Sequence, residues 1–146
     1  MHIRQRIGRA LEARVASIPG IVNTSRIRKA EIPDQQLPSA TILFGGEEVT
    51  KAANDADPHS FIVERRERWL VVLHVRTSDP FDEVFDELAV AIEAAVHADD
   101  TLGGLVTDLG LSGTDYSIDP QTGRSLGSGA LTFTCAAHHK AGAPDV

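Results

Sequence analysis

Apolar residues recur along this chain at two different periods, and each change of period marks the end of an element. Between Asp79 and Leu111, Phe81, Val84, Phe85, Leu88, Ile92, Ala95 and Val96 fall at three- and four-residue intervals, which places one apolar stripe on one side of an α-helix. Asp79 is positioned to accept a bond from a first-turn amide, Pro80 suits the first helical position, and Asp82 and Glu83 meet the positive end of the helix dipole. His97, Asp99 and Asp100 then lead to Gly103-Gly104, where the chain can turn into an extended run, Leu105 to Leu111. Trp69 to Thr77, just before Asp79, alternates as a strand does, so the unit reads strand, helix, strand.

The same reading covers the rest of the chain. From His2 to Ile18, Ile3, Ile7, Ala10, Leu11, Val15 and Ile18 recur at helical spacing, and Pro19-Gly20 ends the run. Ile21 to Ala30 alternates partly, as an edge strand would, and Glu31 to Pro38 is a connection. Ala40 to Phe44 predicts a core strand halted by Gly45-Gly46, and Glu47 to Ser60 an exposed loop or hairpin tip. Phe61 to Thr77 contains no breaker and predicts one long strand, its second half buried on both faces like a central strand. Its first half, Glu64 to Arg68, is too charged for a core, so it should run beyond the body as one arm of a hairpin paired with Ala40 to Val49. Thr114 to Ile118 and Ala130 to Ala137 predict a second hairpin, linked by a loop from Asp119 to Gly129. The resulting expectation is an α+β single domain over 1–140: an antiparallel or mixed β-sheet, two main helices packed on one face, and a protruding β-hairpin. A flexible tail follows at 141–146.

Composition narrows the function classes. A chain of 146 residues has the length of one domain with a sizeable core, and its single cysteine allows no internal disulfide and no multi-cysteine zinc site. The charged start of the first helix does not read as a signal peptide, and no apolar run is long enough to span a bilayer, so a cytosolic, non-membrane protein is expected. A net charge of −7 argues against broad binding to nucleic-acid backbone. Arg4, Arg6, Arg9 and Arg14 lack interleaved aromatics for base stacking and read as the solvated face of the first helix.

No catalytic, cofactor or metal constellation emerges. The glycine-rich run Gly123 to Gly129 lacks the lysine and the following helix of a phosphate loop and reads as a hairpin tip. His138 and His139 are adjacent on an extended segment, so they point to opposite faces and cannot share an ion. Asp55, Asp57 and His59 lack the glycine and terminal glutamate of a calcium hand. Cys135 shares the face of Leu131 and Phe133, the setting of a buried, inert thiol. His74 is expected to pack within the core, and His97 to sit favourably at a helix C-terminus. The pairs Glu47-Glu48 and Asp99-Asp100 read as solvated carboxylates.

The layout resembles the tail terminator (tail completion, minor tail protein U-like) family of long-tailed bacteriophages, prophages and gene transfer agents. The resemblance lies in the opening helix from His2-Ile3-Arg4-Gln5-Arg6-Ile7, the strand entry Leu37-Pro38-Ser39-Ala40-Thr41-Ile42, the pair Glu47-Glu48 and the hydrophobic strand before Asp79. It is strongest in the central helix followed by Asp100-Thr101-Leu102-Gly103-Gly104-Leu105-Val106, with a closing strand from Gly129 to Thr134. It implies a virion protein without enzymatic activity or cofactor, made in the bacterial cytoplasm. Such a protein forms a homohexameric ring that caps the tail tube and ends its polymerisation. Its partners would be the tail tube protein and a head-completion or neck connector protein, with DNA passing through the ring unbound. The expected oligomer or tube interface is Glu47, Glu48, Asp55, Asp57, Glu64, Arg65, Arg66, Arg68 and Arg124. Competing readings are another phage neck protein, such as a head-completion or connector subunit, and a small α+β enzyme or ligand-binding protein with its site in a cleft beside the sheet.

Overall fold

In a computed structural model the alternation of one strand decides the layering. The structure describes residues 1–27, 32–54, 56–121 and 124–145, with side chains excepted at 58, 117–121 and 124–125. The elements are α1 (Ile3–Ala16), β1 (Asn23–Ser25), β2 (Ser39–Asn54), β3 (Asp57–Thr77), α2 (Phe81–Val96), β4 (Asp108–Gln121) and β5 (Arg124–Lys140), with a short 3-10 turn at Asp34–Gln36. They form a mixed five-stranded sheet of order β1-β2-β3-β5-β4, in which only the β1–β2 pairing is parallel. The fold is α+β, as its alternation of helical and strand periods predicts.

Along β3, Trp69, Val71, Leu73 and Val75 are buried, while Leu70, Val72 and His74 between them are only partly so. This corrects the expectation of burial on both faces. Both helices pack on one side of the sheet, where Ile7, Leu11 and Val15 of α1 and Phe85, Ile92 and Val96 of α2 join the β3 residues in one apolar core. The opposite face carries no α-helix among the described residues, and the 3-10 turn meets its end where Asp34 Oδ1 accepts from Arg76 Nε at 2.9 Å. His74 lies on that face, at the register of Ser39 and Ser128, and not inside the core.

Glycines set the close approaches. A side chain at Gly8 of α1 would overlap the Trp69 ring and the Arg26 guanidinium, so glycine there lets the helix sit down on the tryptophan. In β5, Gly127 and Gly129 lie under Phe81 and Phe85 of α2 in the same way. The glycine-rich run is therefore largely strand: β4 continues to Gln121 and β5 begins at Arg124, replacing the loop expected over Asp119 to Gly129. Gly123 lies outside the described residues.

Three further boundaries differ from expectation. Gly45-Gly46 does not halt β2 but makes a bulge, with Gly46 at φ 108°, and the strand continues to Asn54 before a tight reversal into Asp57. Residues 47–54 are thus one arm of a hairpin and not a loop. Pro80 stands at the N-cap of α2 without a side-chain cap, and the Asp79 amide instead donates to Thr77 Oγ1 at 3.0 Å. After α2 the chain stays in turns through Leu105, and β4 starts only at Asp108. β3 and β4 each run antiparallel to β5, so the strand–helix–strand unit is a parallel crossover with β5 inserted between its strands.

The turns after α2 are fastened by one carboxylate. Asp99 Oδ1 accepts from the Thr101 amide at 2.9 Å and its hydroxyl at 2.6 Å, and Oδ2 accepts from the Gly103 amide at 2.9 Å. These bonds hold the Asp99 carboxyl down at about 2. They also span Leu102, which is buried with φ at 49°.

Candidate functional site

The inward alternation of β3 does not stop at Trp69. Carried back two residues at a time it places Glu67 and Arg65 on the face that the helices cover, and Glu67 is 0% exposed. Its backbone neighbours across the sheet are Glu47 on β2 and Cys135 on β5. The expectation that Glu64 to Arg68 lies beyond the body is therefore corrected, because β5 pairs with this whole segment. Only residues up to Phe61 extend past the last β5 partner, Lys140.

Around Glu67 the helix-side layer turns polar. Glu67 Oε1 accepts from the Trp69 indole at 2.9 Å, while Oε2 is buried without a partner. Arg65, two residues earlier on the same face, donates through Nη1 to Glu47 Oε1 at 2.6 Å and through Nε to His139 Nε2 at 2.8 Å. A guanidinium cannot accept, so His139 Nε2 must, and the imidazole proton resides on Nδ1, 2.6 Å from the Lys140 carbonyl. Arg4 adds a second cation 3.7 Å from Glu47 Oε1, and His2 caps α1 by accepting from the Arg4 amide at 3.1 Å.

The two carboxylates differ in their surroundings. Burial pushes the Glu67 carboxyl up, with the Trp69 bond opposing and nearby Glu47 reinforcing, whereas Glu47 is ion-paired to Arg65. Burial and then the neighbouring cations Arg4 and Arg65 push His2 down. Beside this group a cleft of about 260 Å³ is lined by His2, Arg4, Gln5, Arg26, Phe44 and Trp69. Arg4 stacks over Phe44 at 5.4 Å and Arg26 over Trp69 at 5.6 Å.

The sequence-predicted interface residues do not form one patch. Glu47 and Arg65 belong to the helix-side group just described. Glu48, Glu64, Arg66 and Arg68 share the opposite face, where Arg66 Nε meets Glu64 Oε1 at 2.9 Å, His138 lies 3.5 Å from Glu64 Oε2, and Arg68 reaches the Gly45 carbonyl at 3.4 Å. Asp57 opens β3, its side chain accepting from the His59 amide at 3.0 Å. Asp55 lies outside the described residues, and Arg124 is described only as backbone paired with Gln121.

Glu67, His139, His2 and Arg4 were not among the predicted residues. The signal for Glu67 was present: it stands two residues before Trp69, in phase with the buried face.

Cys135 is buried, and burial followed by Glu67 and Asp108 pushes its thiol up to about 12, so it is no nucleophile at neutral pH. His138 and His139 point to opposite faces, as their adjacency on a strand requires: His139 is 7% exposed, and His138 faces outward. Among the described residues no three His, Cys, Asp or Glu side chains gather as a metal site, and no helix is long and apolar enough to cross a membrane.

No protein-family model matches the chain, and no curated protein matches it. Among solved structures it is similar to a chain from the virion of a native gene transfer agent particle. The two are 14% identical, the match covers 94% of this chain and 92% of the other, and the TM-score is 0.41.

Proposed function

We propose that this chain is a structural subunit of a phage-like virion, a tail terminator that assembles as a homohexameric ring on the end of the tail tube, stops its growth and joins it to the head-neck connector. The sequence resemblance supplies the role. The observation that carries it is the bare face of the sheet. There Leu43, Leu70, Val72, Ala130 and Thr132 form a partly exposed, uncharged centre opposite the helices, and the mixed-charge group Glu64, Arg66 and Arg68 continues it towards the hairpin end. A subunit held on several sides by neighbours keeps such a surface. Unlike faces on one domain are also what a head-to-tail ring requires. The net charge of −7 suits a ring through which DNA must pass without sticking.

The test is capping. Purified protein is added to self-polymerising tail tube subunits, and tube lengths are measured by negative-stain microscopy. Shortening at substoichiometric amounts, with a ring at one tube end, is the expected result; an unchanged length distribution overturns the reading. Ring density on the head portal instead would identify a neck connector. Arg66→Glu is the useful hairpin variant, because Arg66 is exposed, whereas reversal at Arg65 would break the contacts with Glu47 and His139.

A further inference from the structure

Helix α1 and helix α2 carry opposite charge on their exposed faces. Arg6 and Arg9, one turn apart on α1, are exposed and make no ion pair among the described residues. They line an open cleft of about 590 Å³ together with Met1, Leu102, Gly103, Leu105 and Asp145, so two guanidiniums and one carboxylate share the cleft with two leucines. On α2 the first two turns expose Asp82, Glu83, Asp86 and Glu87, also without an ion pair among the described residues, followed by Val90 at 67% exposure.

Like charges at i and i+4 repel, which the helix dipole offsets only in the first turn. Glu83 and Glu87 are such a pair, and together with Val90 they make one stripe at helical spacing: two carboxylates one turn apart, then an aliphatic side chain. The Arg6–Arg9 cleft is its complement, with two guanidiniums one turn apart beside Leu102 and Leu105.

We infer that the Arg6–Arg9 cleft of one copy of this chain receives the Glu83–Glu87–Val90 stripe of the next copy. The contact joins unlike surfaces, so it is head-to-tail and generates a ring or filament, not a closed dimer. The occupant is a second copy because α2 is the densest run of unpaired carboxylates in the described residues and every copy carries both halves. The inference rests on the ring reading above but places the contact on the helix layer, away from the β2–β3 hairpin.

The test is a paired charge reversal followed by sedimentation velocity at low and high salt. Arg6→Glu with Arg9→Glu in one chain, and Glu83→Arg with Glu87→Arg in another, should each weaken self-association by about tenfold to a hundredfold. An equimolar mixture of the two should recover it, because the acidic cleft of the first variant now meets the basic stripe of the second. Association of the wild type should weaken with salt as the charges are screened. All four positions are exposed, and circular dichroism of each variant confirms folding. Single variants that assemble as the wild type does, or a mixture that stays dissociated, overturn the inference, as does a wild type that remains monomeric at low salt up to its solubility limit. Tube capping by any of these proteins would leave the terminator reading standing, so the two failures are distinguishable.

Discussion

The helix-covered face of β3 is built in two ways along one strand. From Trp69 to Val75 it is apolar, pressed by Gly8 of α1 and by the core residues of α2; from Arg65 to Glu67 it is polar, and Glu67 is as buried as Leu73. The first stretch is held by area and fit, the second by a short chain of donors and acceptors with unpartnered oxygens at Glu67 and Glu47. Equal burial therefore does not mean equal contribution. Packing gains scale with the area removed from water, whereas buried charges must first recover the solvation they lose.

Truncating the apolar stretch should have the largest effect. Trp69→Ala removes a side chain that is 1% exposed and packs against Phe44, Arg26 and the Gly8 turn, and it also takes the indole donor from Glu67. A loss of about 3–5 kcal/mol in chemical denaturation is expected. A loss below about 1 kcal/mol would mean that this end of the core is far looser than its burial implies.

Next comes the centre of the polar stretch. Arg65→Ala leaves Glu47 without its 2.6 Å partner and His139 Nε2 without a donor. The expected cost is about 1–3 kcal/mol, measured in the same way, since half-buried acceptors lose bonds that water restores only in part.

The smallest effect should also have the opposite sign. Burial raises the Glu67 carboxyl above its ordinary value of 4.5, so the folded state holds a proton that the unfolded chain releases. The stability linked to that proton is fully present below about 4.5 and declines as pH rises through the folded value. Glu67→Gln keeps an acceptor for the Trp69 indole and cannot ionise. At neutral pH it should melt higher than the wild type, with the difference closing as pH falls towards 4.5. A lower melting temperature at neutral pH would show that the ionised carboxylate is the stabilising form.

Much of this architecture could be read from residue order. The spacing of Phe81 to Val96 marks α2, and that of Ile3 to Ile18 marks α1, which ends two residues earlier at Ala16. The alternation of Leu131, Phe133, Cys135 and Ala137 placed those four on the buried face of β5. Two of the boundary errors share one cause. Gly45-Gly46 and Gly127 to Gly129 look like breakers, yet one pair makes a bulge and the other glycines lie beneath aromatic rings. A glycine tolerates a close neighbour as readily as an unusual φ, and only the neighbour distinguishes the two. The placement of Glu64 to Arg68 beyond the body fails for a related reason: the segment reads as one block of charge, although strand geometry sends alternate members to opposite faces.

Periodicity alone determined the types of α1, α2, β3 and the inner half of β5, because the 3.6- and 2-residue repeats are properties of the local backbone that each segment carries with it. The strand order, with β5 inserted between β3 and β4, and the row Glu47–Glu67–Cys135 across three strands were decided only by tertiary structure. Register is a relation between segments distant in the chain, set by which side chains fill the space under α1 and α2, and no local repeat contains that information.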